Sequence, residues 1–245
     1  TVPKPLVPIA RSFEEWPGGY SVAGLDEYSQ PNPVREALAT AVKTAIDEYR
    51  SDEGYHYASY KGNPLAAEAH VALSMKSIVF IAAHSIPNHV ALVYGGDPWR
   101  EKLRGGTAGE DPPHNDLTNN IYYIEEPFYP MEHCRFALFW GCETAVPNDE
   151  GSSLTGAAVD HGVDLSAGFL EDVYPGPAAA MFHQRFWQYA LGGCNGVTAS
   201  VREAVRLARL DIVASFPPEE RDGIESLRLY PVDADEDLRV VEWGD

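Results

Sequence analysis

Two short apolar runs, each followed by a chemically reactive side chain, most constrain how this chain folds. Residues 136–140 read Phe-Ala-Leu-Phe-Trp and lead through Gly141 to the thiol of Cys142, and the run at 78–83 leads to the imidazole of His84. Uninterrupted apolar runs of this length are typical of strands that are buried on both faces of a parallel sheet. In parallel sheets, ligand-binding and catalytic residues usually lie at the carboxyl ends of the strands. If the two strands are neighbours, Cys142 lies beside His84.

A thiol and an imidazole at neighbouring strand ends can form a nucleophile and its base. An ordinary cysteine is largely protonated near neutral pH, so catalysis requires a base or a cation within hydrogen-bond reach. The alternative is that Cys142 is a buried structural cysteine and His84 a satisfied strand-end histidine, because free cysteine is among the most buried residue types. The matched strand ends favour the reactive interpretation.

The composition excludes several classes of protein. With 245 residues, 44% of them hydrophobic, the chain is expected to be globular and long enough for one large domain. A net charge of −19 argues against a nucleic-acid partner, because phosphate binding relies on a basic surface. No apolar stretch approaches the length of a membrane span, and the proline-rich start does not resemble a signal peptide. We therefore expect no membrane partner and a cytoplasmic location.

The cysteine and histidine positions indicate neither a disulfide framework nor a metal site. The three cysteines, Cys134, Cys142 and Cys194, are odd in number and show no paired metal-ligand spacing. The histidines are numerous, but no His-x-x-x-His pair with a carboxylate partner accompanies them. We expect no metal and no cofactor.

Strand and helix patterns alternate along most of the chain. Apolar periodicity predicts helices at 33–49, 65–75, 154–161, 178–191 and 198–215, and strands at 20–25, 55–60, 121–124 and 163–170. The segment 85–120 is rich in Gly, Pro, Asp and Asn and is expected to be a loop. This order predicts an α/β fold, a three-layer α/β/α sandwich around a mostly parallel sheet. Two strand-like pieces at 227–230 and 238–243 form either an edge hairpin or the boundary with another module.

The motifs around Cys142 and His84 resemble a known family. The stretch Trp140-Gly-Cys-Glu-Thr-Ala145 is similar to the Ala-Cys-Glu-Thr-Gly motif of caspase-like cysteine peptidases of the CHAT branch, which is related to separase. The stretch Ile81-Ala-Ala-His84-Ser85 is similar to the family's apolar strand closing in His-Gly. The resemblance covers about residues 20–210. It implies a caspase-like sheet, with an N-terminal extension at 1–19, a peptidase domain at 20–215 and a C-terminal strand-like extension of that domain at 216–245.

The resemblance implies a cysteine endopeptidase with a Cys-His dyad. Cys142 would attack the scissile carbonyl, His84 would pass the proton to the leaving amine, and the Cys142 and Ser85 amides would hold the oxyanion. Gly141 joins Ser85 in the substrate-binding set. Ser85 and Ala145 stand where the family has glycine. These departures favour the alternative of a catalytically inactive caspase-like interaction or scaffold module, and an amidase of small molecules would use the same dyad.

The resemblance also implies a basic residue at P1, the substrate position before the cleaved bond. The family lines this pocket with residues just past the first strand and just past the strand that follows the nucleophile, and here those places hold Asp26, Glu171 and Asp172. A carboxylate in such a pocket matches a guanidinium or ammonium group. The alternative is that Asp26 only begins a solvated turn. The expected partners are a protein or peptide substrate and a regulatory or sensor domain or subunit.

Overall fold

The computed structural model describes fewer residues than the sequence contains. They are residues 41, 44, 45, 47–49, 72–74, 78–82, 85–87, 89–91, 101–104, 120–123, 131–132, 134–147, 151, 153–192, 198–232 and 238–240. Asp26, His84 and Cys194 lie outside these residues, as do the predicted strands at 20–25 and 55–60. The described residues of the predicted helices at 33–49 and 65–75 are all helical; they are residues 41, 44, 45, 47–49 and 72–74.

The strands and helices whose bounds are described begin with six strands and continue with three helices and two further strands. In chain order they are β1 (Ile78–Ala82), β2 (Ser85–Ile86), β3 (His89–Ala91), β4 (Glu101–Arg104), β5 (Asn120–Tyr123), β6 (Phe136–Trp140), α1 (Leu154–Asp160), β7 (Leu165–Phe169), α2 (Pro177–Trp187), α3 (Val201–Ser215) and β8 (Leu227–Tyr230). A π-helical turn, Gln188–Gly192, continues α2. The helices predicted from 154 onward and the strand predicted at 163–170 are confirmed, with ends that differ by at most three residues when the π-helical turn is counted with α2.

The main sheet contains four of these strands in the order β1-β6-β7-β8. The first three are parallel, and β8 runs antiparallel to β7. The strand predicted at 227–230 is therefore confirmed as an edge strand. An edge hairpin with 238–243 is wrong for the described part of that piece, because the carbonyl of Leu238 instead accepts the Val201 N–H at the start of α3, at 2.9 Å. The predicted domain boundaries stay a prediction.

Alternate residues of the central strands pack into two separate apolar clusters. Phe80 and Trp140 belong to a cluster with residues of α2 and α3, whereas Ile81 and Phe139 belong to a second cluster with residues of α1. Because successive strand side chains point to opposite faces, strands that are apolar at every position are covered by helices on both sides. Each such side chain contributes about 2 kcal/mol by its burial. The predicted three-layer, mostly parallel α/β/α sandwich is confirmed.

A second, small sheet occupies part of the segment that was expected to be a loop. Its strands lie in the order β2-β3-β4-β5, with β4 and β5 parallel. The strand predicted at 121–124 is confirmed as β5, but the loop prediction for 85–120 is wrong, because β2, β3 and β4 lie within it. Strands of two to four residues are too short for alternation to be visible against the surrounding Gly and Pro residues.

No helix in the described part of the chain is both long enough and apolar enough to cross a membrane.

Candidate active site

Three parallel strands end at one edge of the main sheet. The parallel register of β1 and β6 ends at Ala82 and Trp140, and β7 pairs in parallel on the other side of β6. The segments that follow the three strands leave the sheet side by side. They carry Ser85, Cys142 and Asp172 in turn. The candidate site is built on these segments.

Thr144 ties the loop after Cys142 to the end of β7. Its buried hydroxyl lies 3.1 Å from the carbonyl oxygen of Phe139 and 3.2 Å from that of Gly141, and it accepts the Phe169 N–H at 3.1 Å. The loop can approach so closely because residue 168 is glycine: a Cβ there would lie 2.6 Å from the Thr144 hydroxyl oxygen. These bonds fix the loop that carries Cys142.

The Cys142 side chain is half-buried and lies beside the segment that follows β7. Its Sγ lies 3.7 Å from the carbonyl oxygen of Val173. Burial raises the pKa of the Cys142 thiol, and the nearby carboxylates of Asp172 and Glu143 raise this pKa further, while the main chain of Val173 offsets part of the rise. These surroundings favour the protonated thiol, so a working nucleophile here requires a base or a cation.

The peptide unit between Cys142 and Glu143 is held from two sides. Its carbonyl accepts a hydrogen bond from the Ser85 hydroxyl at 2.5 Å, and its N–H donates to the carbonyl of Glu171 at 3.3 Å. Glu143 itself has a φ of 56°, a left-handed conformation that is uncommon outside glycine. The turn after Cys142 is therefore strained and is held in place by its neighbours.

Asp172 and Tyr174 line the edge of the site next to Cys142. The Tyr174 hydroxyl lies 3.4 Å from a carboxylate oxygen of Asp172, and the Tyr174 side chain is 58% exposed. The Asp172 charge raises the pKa of the Tyr174 hydroxyl, with smaller contributions that include Cys142. An exposed carboxylate and an aromatic ring together can bind a cationic group.

A tight turn at 222–223 supports this edge. Asp222 and Gly223 both have positive φ values, 54° and 78°. The Asp222 carbonyl accepts the Tyr174 N–H at 3.0 Å, and its carboxylate accepts the Ala179 N–H at the start of α2, at 3.1 Å. A Cβ on Gly223 would collide with the Asp172 carbonyl oxygen. The turn thus fixes the backbone that carries Asp172.

Comparison with known proteins relates this architecture to a peptidase fold. No protein-family model matches the chain, and no curated protein matches its sequence. The structure is similar to the crystal structure of the Arg-specific cysteine proteinase gingipain R, with a TM-score of 0.58 and 10% sequence identity. The fold is similar to that of a caspase-like cysteine proteinase. The match covers 90% of this chain and 46% of that one, so this chain spans less than half of its length.

The likeness to gingipain R concerns the fold alone. Among the predicted site residues, the structure brings Ser85 and Asp172 to Cys142 from opposite sides. Gly141 is buried and its carbonyl lies by the Thr144 hydroxyl, whereas Glu171 contributes its carbonyl and has an exposed side chain. His84 and Asp26 lie outside the described residues, so their roles stay predictions.

Sequence reasoning missed several residues that shape this site. Thr144 belongs to the Cys-Glu-Thr motif, so that motif was a signal for a role in holding the loop. Tyr174 follows Asp172 by two residues, and alternation along an extended segment could have placed both on one side. The Asp222-Gly223 dipeptide is a turn signal, but the contacts of this turn could not be predicted, because they join segments that are distant in sequence.

No group of three or more His, Cys, Asp or Glu side chains in the described ranges is arranged to hold a metal ion.

Proposed function

We propose that this protein is a cysteine endopeptidase that cleaves protein or peptide substrates with Cys142 as nucleophile and His84 as base. The observation that carries the proposal is the hydrogen bond from Ser85, the residue after His84, to the main chain of Cys142 at 2.5 Å. The β1–β6 register supports it too: Ala82 pairs with Trp140, and His84 and Cys142 each follow two residues later in sequence. The likeness to a cysteine proteinase fold adds to this support.

The raised pKa of the Cys142 thiol defines what the base must do. His84 takes the proton from Sγ, and the sulfur attacks the carbonyl carbon of the scissile bond. The Cys142 and Ser85 amides donate to the resulting oxyanion. As the tetrahedral intermediate collapses, the C–N bond breaks, His84 protonates the amine, and a thioester to Cys142 remains. Water then hydrolyses the thioester and restores the thiol.

The substrate position before the cleaved bond takes an Arg or Lys side chain in this proposal. Asp172 supports this choice, because its exposed carboxylate lies close enough to Cys142 to raise the pKa of the thiol. Glu171 adds negative charge on the same segment, and Asp26 is proposed as the main acid of the pocket. A guanidinium would form charge-assisted bonds to such carboxylates. The similar gingipain R is described as Arg-specific.

Labelling with an active-site-directed electrophile tests this function. A peptide electrophile with Arg at P1 should label wild-type protein at Cys142, whereas matched reagents with Asp or Leu at P1 should label it more slowly. Cys142→Ala should block labelling, and Cys134→Ser should not, because Cys134 is buried. Modification at another cysteine, or faster labelling by the Asp or Leu reagent, would contradict the assignment. Hydrolysis of small amides with no cleavage of peptides would indicate an amidase.

Two observations favour an inactive interaction or scaffold module as the second candidate. Burial and neighbouring carboxylates raise the pKa of the Cys142 thiol, and Ser85 stands where the resembled family has glycine. A folded protein that neither reacts with peptide electrophiles nor cleaves peptides would favour this candidate.

Within the caspase-like peptidases, we propose the CHAT branch related to separase for this chain. This proposal rests on the motif Cys142-Glu143-Thr144.

A further inference from the structure

We propose that the side-chain hydroxyl of Ser85 is a positioning group that holds the Cys142 main chain in the geometry required for hydrolysis. This inference rests on the proposed peptidase function. The resembled family has glycine at this position, so the hydroxyl is a feature of this chain. The proposal concerns the Ser85 side chain, in addition to the main-chain amide assigned to the oxyanion.

The Ser85 side chain contacts the Cys142 main chain directly. Ser85 is buried, and its hydroxyl donates to the Cys142 carbonyl at 2.5 Å, which is at the short end for a hydrogen bond between two oxygens. The bond joins the segment after β1 to the segment after β6. It therefore links directly the two residues whose amides are proposed to stabilise the oxyanion.

The peptide unit between Cys142 and Glu143 is restrained at both its carbonyl and its N–H. While Ser85 holds the Cys142 carbonyl, the Glu143 N–H on the same peptide donates to the Glu171 carbonyl at 3.3 Å. Glu143 has a φ of 56°, a conformation that is kept only where surrounding contacts enforce it. Loss of the Ser85 bond frees one side of a strained turn. The Cys142 N–H then loses part of its fixed orientation.

Hydrolysis and alkylation at Cys142 differ in their dependence on the position of the amides. Hydrolysis forms an oxyanion, and its rate depends on the spacing of the two amides; alkylation of the thiol by iodoacetamide forms none. Removing the hydroxyl should thus slow hydrolysis about tenfold to a hundredfold, since a small misplacement has effects of this size. The rate of alkylation and its pH profile should stay close to those of the wild type.

The experiment compares Ser85→Ala, Ser85→Thr and a control, Ser200→Ala, which removes the hydroxyl at the N-terminal cap of α3. For each protein we would measure kcat and KM on a peptide with Arg at P1, the iodoacetamide rate at Cys142 across pH, and Tm. We expect a lower kcat with unchanged KM and alkylation in Ser85→Ala, recovery of kcat in Ser85→Thr, and wild-type kcat in Ser200→Ala.

The other outcomes distinguish a failure of this inference from a failure of the proposed peptidase function. An active wild type with unchanged kcat in Ser85→Ala overturns this inference and leaves the peptidase function standing. Parallel loss of hydrolysis, alkylation and Tm in Ser85→Ala overturns it as well, because the hydroxyl would then act on the fold in general. A wild type that is alkylated at Cys142 but cleaves no peptide overturns both the peptidase function and this inference.

Discussion

At the scale of single residues, Asp172 has two opposed effects on the chemistry of Cys142. Its negative charge attracts a cationic substrate, but the same charge, added to the effect of burial, raises the pKa of the thiol. A bound guanidinium neutralises that charge. The proposed substrate therefore favours the thiolate at the moment when it is needed.

Substitution of Asp172 by Asn should reveal both effects. The pKa of Cys142 should fall, so the pH profile of iodoacetamide alkylation should move to lower pH and the rate near neutral pH should rise. The KM for a peptide with Arg at P1 should rise at the same time. Glu219→Gln is a suitable control, because Glu219 is exposed and does not contribute to the pKa of Cys142. A profile that stays in place or moves to higher pH would contradict this account.

Thr144 holds the Cys142 loop through the hydrogen bonds of its buried hydroxyl. Replacement by Val keeps the volume but removes the hydroxyl, leaving the buried Phe169 N–H without its acceptor. We expect a loss of about 1–3 kcal/mol in the free energy of unfolding. Urea denaturation measures the free energy of unfolding. Ser153→Ala serves as a comparison, because it removes a different buried hydroxyl, the one that caps α1. Unchanged stability in Thr144→Val would show that the loop does not require these bonds.

At the scale of secondary-structure elements, His183 joins α2 to the sheet in an unusual way. It is fully buried, with its ring 4.1 Å from the Trp140 ring and 4.7 Å from the Phe80 ring between centroids. Neither ring nitrogen has a hydrogen-bond partner among the described residues. Burial lowers the pKa of His183 to about 3. The folded state thus requires a neutral imidazole beneath the strand that leads to Cys142.

This burial predicts a loss of stability in acid. The pKa of His183 is lower in the folded state than its ordinary value of 6.5, so the unfolded state binds the proton more readily. Stability is therefore lost progressively as the pH falls from about 6.5 toward about 3, and by about pH 5 the loss from this group is about 2 kcal/mol. Urea unfolding at about pH 7 and pH 5 should show a smaller difference for His183→Phe than for the wild type. Equal differences would mean that His183 does not govern this response.

At the scale of the whole molecule, the central sheet and its covering helices could be predicted, because each element has a recognisable local pattern of apolar residues. The runs at 78–82 and 136–140 are apolar at every position, and this requires helices on both faces. The small sheet could not be predicted, because β2, β3 and β4 have only two to four residues each and depend on pairing between separated segments. Those strands form because they pair with other segments of the chain, and no local pattern indicates this pairing.

Part of the candidate site could also be predicted from the sequence, and part could not. The strand-end position of Cys142 and the acidic segment after β7 were readable from short motifs. The contact between Tyr174 and the turn at Asp222 was not, because it joins segments far apart in the chain. The positive φ of Glu143 could not be predicted either, since Glu has no local preference for that conformation. Such contacts belong to the assembled fold.

The proposed dyad is tested most directly by hydrolysis of a fluorogenic peptide with Arg at P1. Wild-type protein and Cys134→Ser should cleave it, whereas Cys142→Ala and His84→Ala should each lose nearly all activity while keeping the circular dichroism spectrum and Tm of the wild type. We expect this pattern because one side chain supplies the nucleophile and the other moves its proton. Cleavage by Cys142→Ala at the wild-type rate would contradict it.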